Sequence, residues 1–304
     1  MAWWRRDHRG RTGRTGCSSG RNASDRRHPA LQGAVIVAIL GGVALAWHAV
    51  EFQLWRYATH LDRGVVTWDQ VDLVDAPAWM GDSVRRELQE LVATWCGSAA
   101  LDRESLAQAA TRLDGSAWTE SVQQIRRVAD GGVRVTARYR RPIAVVQTHD
   151  GYRIIDARGI LLPGLYLRKN IPSLGLPLIV GVRSHASLTG GPWRGPDLKA
   201  GIELVRVLEG DPLIDQITAI DVGMRDARHR VHVVLRTADG FVRWGLPPSE
   251  SYPIEPDAGI KRRLLRRVAA EHGGRIDAGG RIVDIFDGAI YLHPTVRSSG
   301  LPAG

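Results

Sequence analysis

Between Pro29 and Glu51 the chain reads ALQGAVIVAILGGVALAWHAV, in which only Gln32 and His48 are polar. Twenty-one residues at about 1.5 Å each give a helix of roughly 31 Å, the thickness of the hydrocarbon core of a bilayer. Gly41 and Gly42 would weaken a water-exposed helix but are common in lipid, and Trp47 and Trp55 stand where interfacial aromatics anchor a span. A cleaved leader is the rival reading, because Ala44-Leu45-Ala46 has the form of a cleavage site. The long charged region before the run and the helical pattern after it favour a retained anchor at residues 30–50, continuing into a membrane-proximal helix and linker at 51–64.

The charge supports this reading. The chain has a formal net charge of +9, and residues 1–29 hold eight arginines against Asp7 and Asp25, so +6 of it lies in the tail. The remainder carries only about +3. This distribution excludes a basic nucleic-acid-binding face and predicts a disordered cytoplasmic tail able to meet anionic lipid head groups. By the positive-inside rule everything from residue 51 onward is extracytoplasmic, which makes a single-pass protein of the cell membrane. Cys17 and Cys96 would then lie on opposite sides of the membrane and not pair.

Beyond the linker the pattern changes to a small α/β unit at residues 65–142. Residues 65–74 read as a strand bent at Asp69-Gln70. Asp82 and Ser83 cap a helix with Val84, Leu88, Leu91, Val92 and Trp95 on one stripe, and Asp102 caps a second. Two strands follow, around Val122 and Ile125 and from Val133 to Tyr139, joined by a turn at Asp130-Gly131-Gly132. The order β-α-α-β-β predicts helices on one face of a three-stranded sheet. Pro142 cannot donate to a ladder, so that sheet should end there, with Arg141 turned outward and the pair acting as a domain hinge.

Residues 143–294 read as a mostly antiparallel β domain with two helices, at 197–208 and from Pro256 or Asp257 to His272. Residues 217–223 and 230–237 form a hairpin, 239–245 returns, and 281–294 closes with two short strands. Residues 295–304 are a flexible end. The fold class expected is α+β. Asp150 and Asp156, each near a glycine, read as turn-capping carboxylates.

This arrangement resembles the bacterial cell-division proteins of the FtsQ/DivIB family. The likeness rests on Trp118, on VRVTARYRRPIAVV with its Arg141-Pro142-Ile143-Ala144, on YRIIDARGILLP, and on Lys261 with Leu264 and Leu265 followed by Val283-Asp284-Ile285. It implies a POTRA domain at 65–142 and an FtsQ-type β domain at 143–294. It further implies a non-catalytic divisome scaffold that organises septal wall synthesis with FtsB- and FtsL-like bitopic partners. In that family a partner adds a strand to the terminal edge, here Ile285, Phe286, Ala289, Ile290, Tyr291 and Leu292.

The chemistry-bearing residues give no competing site. His229 and His232, three apart on an expected strand, would point to opposite faces and could not share a metal. H-E-x-x-H does not occur. Ser184 and His185 in GVRSHASLTGG are the nearest thing to a nucleophile and base, and they underlie the alternative of a membrane-anchored or secreted peptidoglycan-acting enzyme. A POTRA-bearing export component is a third reading, which would need barrel strands that do not follow. The expectation is a protein without catalytic residues, metal, cofactor, small-molecule substrate or nucleic-acid partner.

Overall fold

The computed structural model describes residues 29–59, 65–97, 102–250 and 252–295. The chain divides into two units, residues 1–60 and 61–304. In the first, helix α1 (Pro29–Thr59) contains an apolar window, Val37–Leu54, of 18 residues. At about 1.5 Å per residue that window is roughly 27 Å long, enough to cross a bilayer. Its large apolar side chains, from Val37 to Leu54, are all exposed, Trp47 at 73 %. A helix apolar on every side is suited to lipid rather than to a protein surface. The side chain of Trp55 lies outside the described residues, as do residues 1–28 of the tail expected to be cytoplasmic, Cys17 with them, and residues 296–304 of the expected flexible end.

The second unit is α+β with mixed sheets. Its first part runs β1 (Val71–Val74), α2 (Asp82–Trp95), α3 (Arg103–Asp114), β2 (Thr119–Arg127) and β3 (Val133–Tyr139), and the strands form a sheet in the order β1-β3-β2. The expected order of elements is therefore present. β1 is shorter than the expected bent strand, because residues 68–70 form a single 3₁₀ turn before it, closed by a capping box between Thr67 and Gln70. Asp102 caps α3 by accepting from the Ser105 amide at 3.0 Å, whereas the N-cap of α2 is Gly81 and Asp82 begins the helix, where its charge favours the positive end. Leu88, Val92, Leu113, Val133 and Val135 are fully buried between helices and sheet. Each such side chain contributes about 1.5–3 kcal/mol.

The rest builds one eight-stranded sheet from β4 (Pro142–Gln147), β5 (Tyr152–Asp156), β6 (Leu178–Val180), β7 (Ala219–Arg225), β8 (Val231–Arg236), β9 (Phe241–Gly245), β10 (Ile282–Asp284) and β11 (Tyr291–His293). Their order is β11-β10-β9-β8-β7-β6-β4-β5. The helices are a single turn, α4 (Ile171–Leu174), and two longer ones, α5 (Pro196–Leu208) and α6 (Ala258–Glu271). The sheet is mixed rather than mostly antiparallel: β4 with β6, β6 with β7, and β9 with β10 run parallel. The parallel crossovers at β6–β7 and β9–β10 carry α5 and α6, as parallel neighbours require a long connection.

Alternation along β4 ties the two parts together. Ala144 and Val146 enter the core under α5 and α6, while Val145 joins the first core with Ile154 and Leu162. All of these are at most 3 % exposed. The junction itself is pinned. Arg140 donates its amide to the Trp118 carbonyl (2.8 Å) and its guanidinium to buried Asp156 (3.2 Å). Arg141 faces outward at 63 % side-chain exposure and pairs with Glu209 (3.1 Å).

Asp156 is also the centre of a turn. Its Oδ1 accepts from the amides of Arg158 and Ile160, both at 2.8 Å, and Gly159 between them adopts φ +74°. Asp226 repeats the arrangement, accepting from the Arg228 and Arg230 amides at 2.9 and 2.8 Å. There the left-handed position is held by His229 (φ +61°). His229 therefore belongs to a turn and not to the strand expected for it, while His232 stands on β8 within 3.7 Å of Asp226.

Candidate partner-binding edge

The eight-stranded sheet has two edges, and they are finished differently. Beyond β5 the chain doubles back, so that Tyr152 and Tyr166 exchange backbone hydrogen bonds (3.1 and 2.8 Å) and the Leu162 amide reaches the Ile154 carbonyl (2.9 Å). That edge is closed by the protein's own chain. β11 ends the other side, pairing antiparallel with β10 through Ile282–His293, Val283–Leu292 and Asp284–Tyr291. Among the described residues no strand lies beyond it. Its outer row of amides and carbonyls is a template for another strand. The smaller sheet's edge strand β2 is instead protected by Glu120, Gln123, Gln124 and Arg126, charged and polar side chains of the kind that discourage pairing.

The side chains of this edge divide by strand alternation. Leu292 turns inward and packs against the main core, as does Ile290 ahead of the strand. Tyr291 (46 % exposed) and His293 turn to the opposite face, and Phe286 (40 %) and Ala289 are also exposed. Ile285 corrects an expectation: it follows β10 directly, is 0 % exposed, and cannot meet a partner. Its amide donates to the Arg243 carbonyl (3.2 Å), which extends the β9–β10 ladder and directs the side chain into the core. Four of the six expected edge residues thus remain for contact or strand pairing at the surface, Phe286, Ala289, Tyr291 and Leu292, with Ile290 supporting them from below.

A row of side chains runs inward from Tyr291 across the same face. In register these are Asp284, Arg243, Val234 and Asp221. Arg243 pairs with buried Asp284 at 3.5 Å and is itself 47 % exposed at the side chain. The Asp287 carboxylate, by hydrogen bond and by charge, with Asp284 behind it, raises the Tyr291 phenol above its ordinary value, so the ring presents a protonated hydroxyl. The edge therefore offers two exposed aromatics, a protonated phenol and a guanidinium beside an unpaired ladder.

Its placement depends on a buried ion pair that the sequence does not advertise. Lys261 of α6 (2 % exposed) donates to the Trp244 carbonyl at 2.8 Å and to Glu255, whose Oε1 also accepts from the Leu246 amide at 2.6 Å. Burial pushes the Lys261 ammonium pKa down, while the Glu255 carboxylate pulls it back. The pair brackets Gly245 at the end of β9. A Cβ at Gly245 (φ +93°) would stand 2.2 Å from Glu255 Oε1 and 2.9 Å from the Phe286 Cβ. Gly245 is thus required both by its backbone angle and by the close approach of Phe286.

Ser184 and His185 lie in the loop after β6. The buried carboxylate of Asp197 accepts from the Arg183 and Ser184 amides at 2.7 and 3.0 Å, and Trp193 Nε1 donates to Ser184 Oγ at 3.1 Å. Although burial opposes it, this set of donors holds the Asp197 carboxyl below its ordinary pKa. Among the described residues no hydrogen bond joins His185 to Ser184 or Ser187, and no group of three or more His, Cys, Asp or Glu side chains is placed to hold a metal ion. The geometry of this loop is that of a braced turn. Neither a protein-family model nor a curated protein matches the chain.

Proposed function

We propose that this protein is a single-pass membrane scaffold of the FtsQ/DivIB kind, non-catalytic, which acts by accepting a partner strand on β11. In this reading residues 65–142 are a POTRA-type module and 143–294 the β domain, with Arg141-Pro142 at their junction and both outside the cytoplasm. The observation that carries it is the asymmetry of the eight-stranded sheet: β5 is covered by its own chain, while β11 ends the sheet beside exposed Phe286 and Tyr291. Strand addition needs only unpaired backbone groups and pockets for alternate side chains. Trp47 and Trp55 anchor the span, the lipid bilayer is the first partner, and FtsB- and FtsL-like bitopic proteins at the division septum are the others.

The reading is tested with the full chain in its own membrane. A reporter active only outside the cytoplasm should work when fused after Gly304 and stay silent when fused at Asp25. Affinity capture after crosslinking should return bitopic division proteins, and Tyr291→Ala should weaken that capture by about thirtyfold, the equivalent of losing an aromatic anchor of roughly 2 kcal/mol. The reverse reporter pattern, or unchanged capture by a variant that melts normally, contradicts it.

A further inference from the structure

A second surface of the protein, independent of the edge, has the chemistry of an anion site. A cleft of about 470 Å³ opens between the Asp156 turn, the segment following Pro192 and the first turns of α5. Its floor is apolar: Trp193 (5 % exposed), Pro196 and Ile202. Its rim carries Arg158, Arg194, Lys199 and Arg206 against the single carboxylate of Glu203, a balance of four minus one, or +3.

Elsewhere in this unit several arginines are matched by buried carboxylates. Asp156, Asp197 and Asp211 are each buried against Arg140, Arg225 and Arg266. At the cleft, Arg158 reaches out of it to Glu120 (2.6 Å) and Lys199 stands 3.7 Å from Glu203. Glu203 is also engaged by the Ser249 amide at 3.0 Å. Arg206 is oriented by the Ala157 carbonyl, and neither it nor Arg194 has a carboxylate within 4.0 Å among the described residues.

The cations left facing the cleft, Arg194 and, on α5, Lys199 and Arg206, are fixed relative to the Asp156 turn. The Trp193 amide donates to the Gly159 carbonyl (2.8 Å), which locks the segment after Pro192 to the Asp156 turn. On α5, Lys199, Glu203 and Arg206 recur at helical spacing on one face. The helix end itself supplies nothing, since Asp197 takes up the Leu198 amide (2.8 Å). Guanidinium forks and an ammonium at one cleft suit the oxygens of a phosphate group. An apolar floor suits the body to which it is esterified.

We propose that this cleft binds a phosphate group carried on a larger molecule, with Arg194 and Lys199 as the principal ligands and Arg206 completing the site. The group can be a soluble phosphate ester or a phospholipid head group. The test uses the purified full chain in neutral detergent, titrated calorimetrically with pyrophosphate and separately with a short-chain phosphatidylglycerol below its micelle concentration. One saturable site is expected, weakened by added salt. Arg194→Gln with Lys199→Gln should weaken it about tenfold or more, because two charge-assisted contacts are lost. Arg263→Gln with Arg267→Gln on the exposed face of α6, which removes the same charge elsewhere, should leave it unchanged. Tighter binding of one probe identifies the source. Absence of saturable binding by both, or an equal loss in the α6 control, overturns the site. Neither result bears on β11.

Discussion

Lys261→Met leaves the stem of the side chain in place and removes only the ammonium, so its effect measures what the buried charge does. The side chains of Lys261 and Glu255 are 3 % and 7 % exposed. Without the ammonium, Glu255 keeps a single donor, the Leu246 amide, and the Trp244 carbonyl loses its 2.8 Å partner. Stranding one member of a buried pair costs about 3–5 kcal/mol, a large part of the roughly 5–15 kcal/mol that holds a domain folded. Thermal unfolding of the full chain, followed by near-ultraviolet circular dichroism, should show Tm falling on the order of 10 °C. Adding Glu255→Gln removes the stranded charge, and the double variant should recover about 2 kcal/mol or more of the loss, a coupling that a double-mutant cycle reads directly. A Lys261→Met protein as stable as the parent, or a double variant no better than the single, would refute the assignment of this pair as the support of β9 beneath Phe286.

Three other outcomes follow from the turns and the loop. His229→Gly should stabilise the protein by up to about 1 kcal/mol in urea unfolding, since it relieves a side chain at φ +61°, less the entropy that glycine adds to the unfolded chain. The Asp150 carboxyl, held down to about 2 by hydrogen bonds from the Thr148 hydroxyl and the Arg153 guanidinium, should titrate there in a carboxyl-carbon NMR experiment. Its folded pKa is depressed, so its contribution is present above the ordinary 3.8 and is lost as pH falls through about 2. Ser184→Ala with His185→Ala should lower stability by at most about 1 kcal/mol, since Trp193 keeps the Ser184 backbone carbonyl (3.2 Å) as an acceptor, and leave complementation of division intact; loss of complementation by a folded variant would restore the enzyme reading.

How far the sequence was legible depended on whether the determining contact was local. Asp102, three residues before Ser105, shows as a cap because both partners sit in one turn. Asp130-Gly131-Gly132 shows as a hairpin for the same reason, and Asp156 as a turn carboxylate. The α5 and α6 boundaries came within two residues, since their apolar stripes recur regularly. The parallel insertion of β6 between β4 and β7 was not legible, because a three-residue strand carries no sign of its neighbours. Residues 65–70 alternated like a strand, yet the Thr67–Gln70 capping box folds them as a turn. At the edge, the exposure of Phe286 and Tyr291 was readable by position, but the burial of Ile285 was not: its inward turn is set by the Arg243 carbonyl, some forty residues earlier. The Lys261–Glu255 pair joins a helix to an irregular segment, and no periodicity reveals it. The cationic cleft escaped for a similar reason, since Arg158, Arg194, Lys199 and Arg206 become neighbours only when the Asp156 turn meets the loop before α5.

The central claim concerns the outer backbone of β11, and amide hydrogen exchange reads it directly. Exchange should be followed in the full chain, alone and in complex with the bitopic partner recovered by crosslinking. In the free protein the outward-facing amides of Tyr291–His293 should exchange much faster than those of β8 at the centre of the same sheet. Binding should slow them by about tenfold or more while β5, already closed by residues 160–166, stays unchanged. Slowing confined to other surfaces, with β11 exchanging as freely in the complex as without it, would contradict the account.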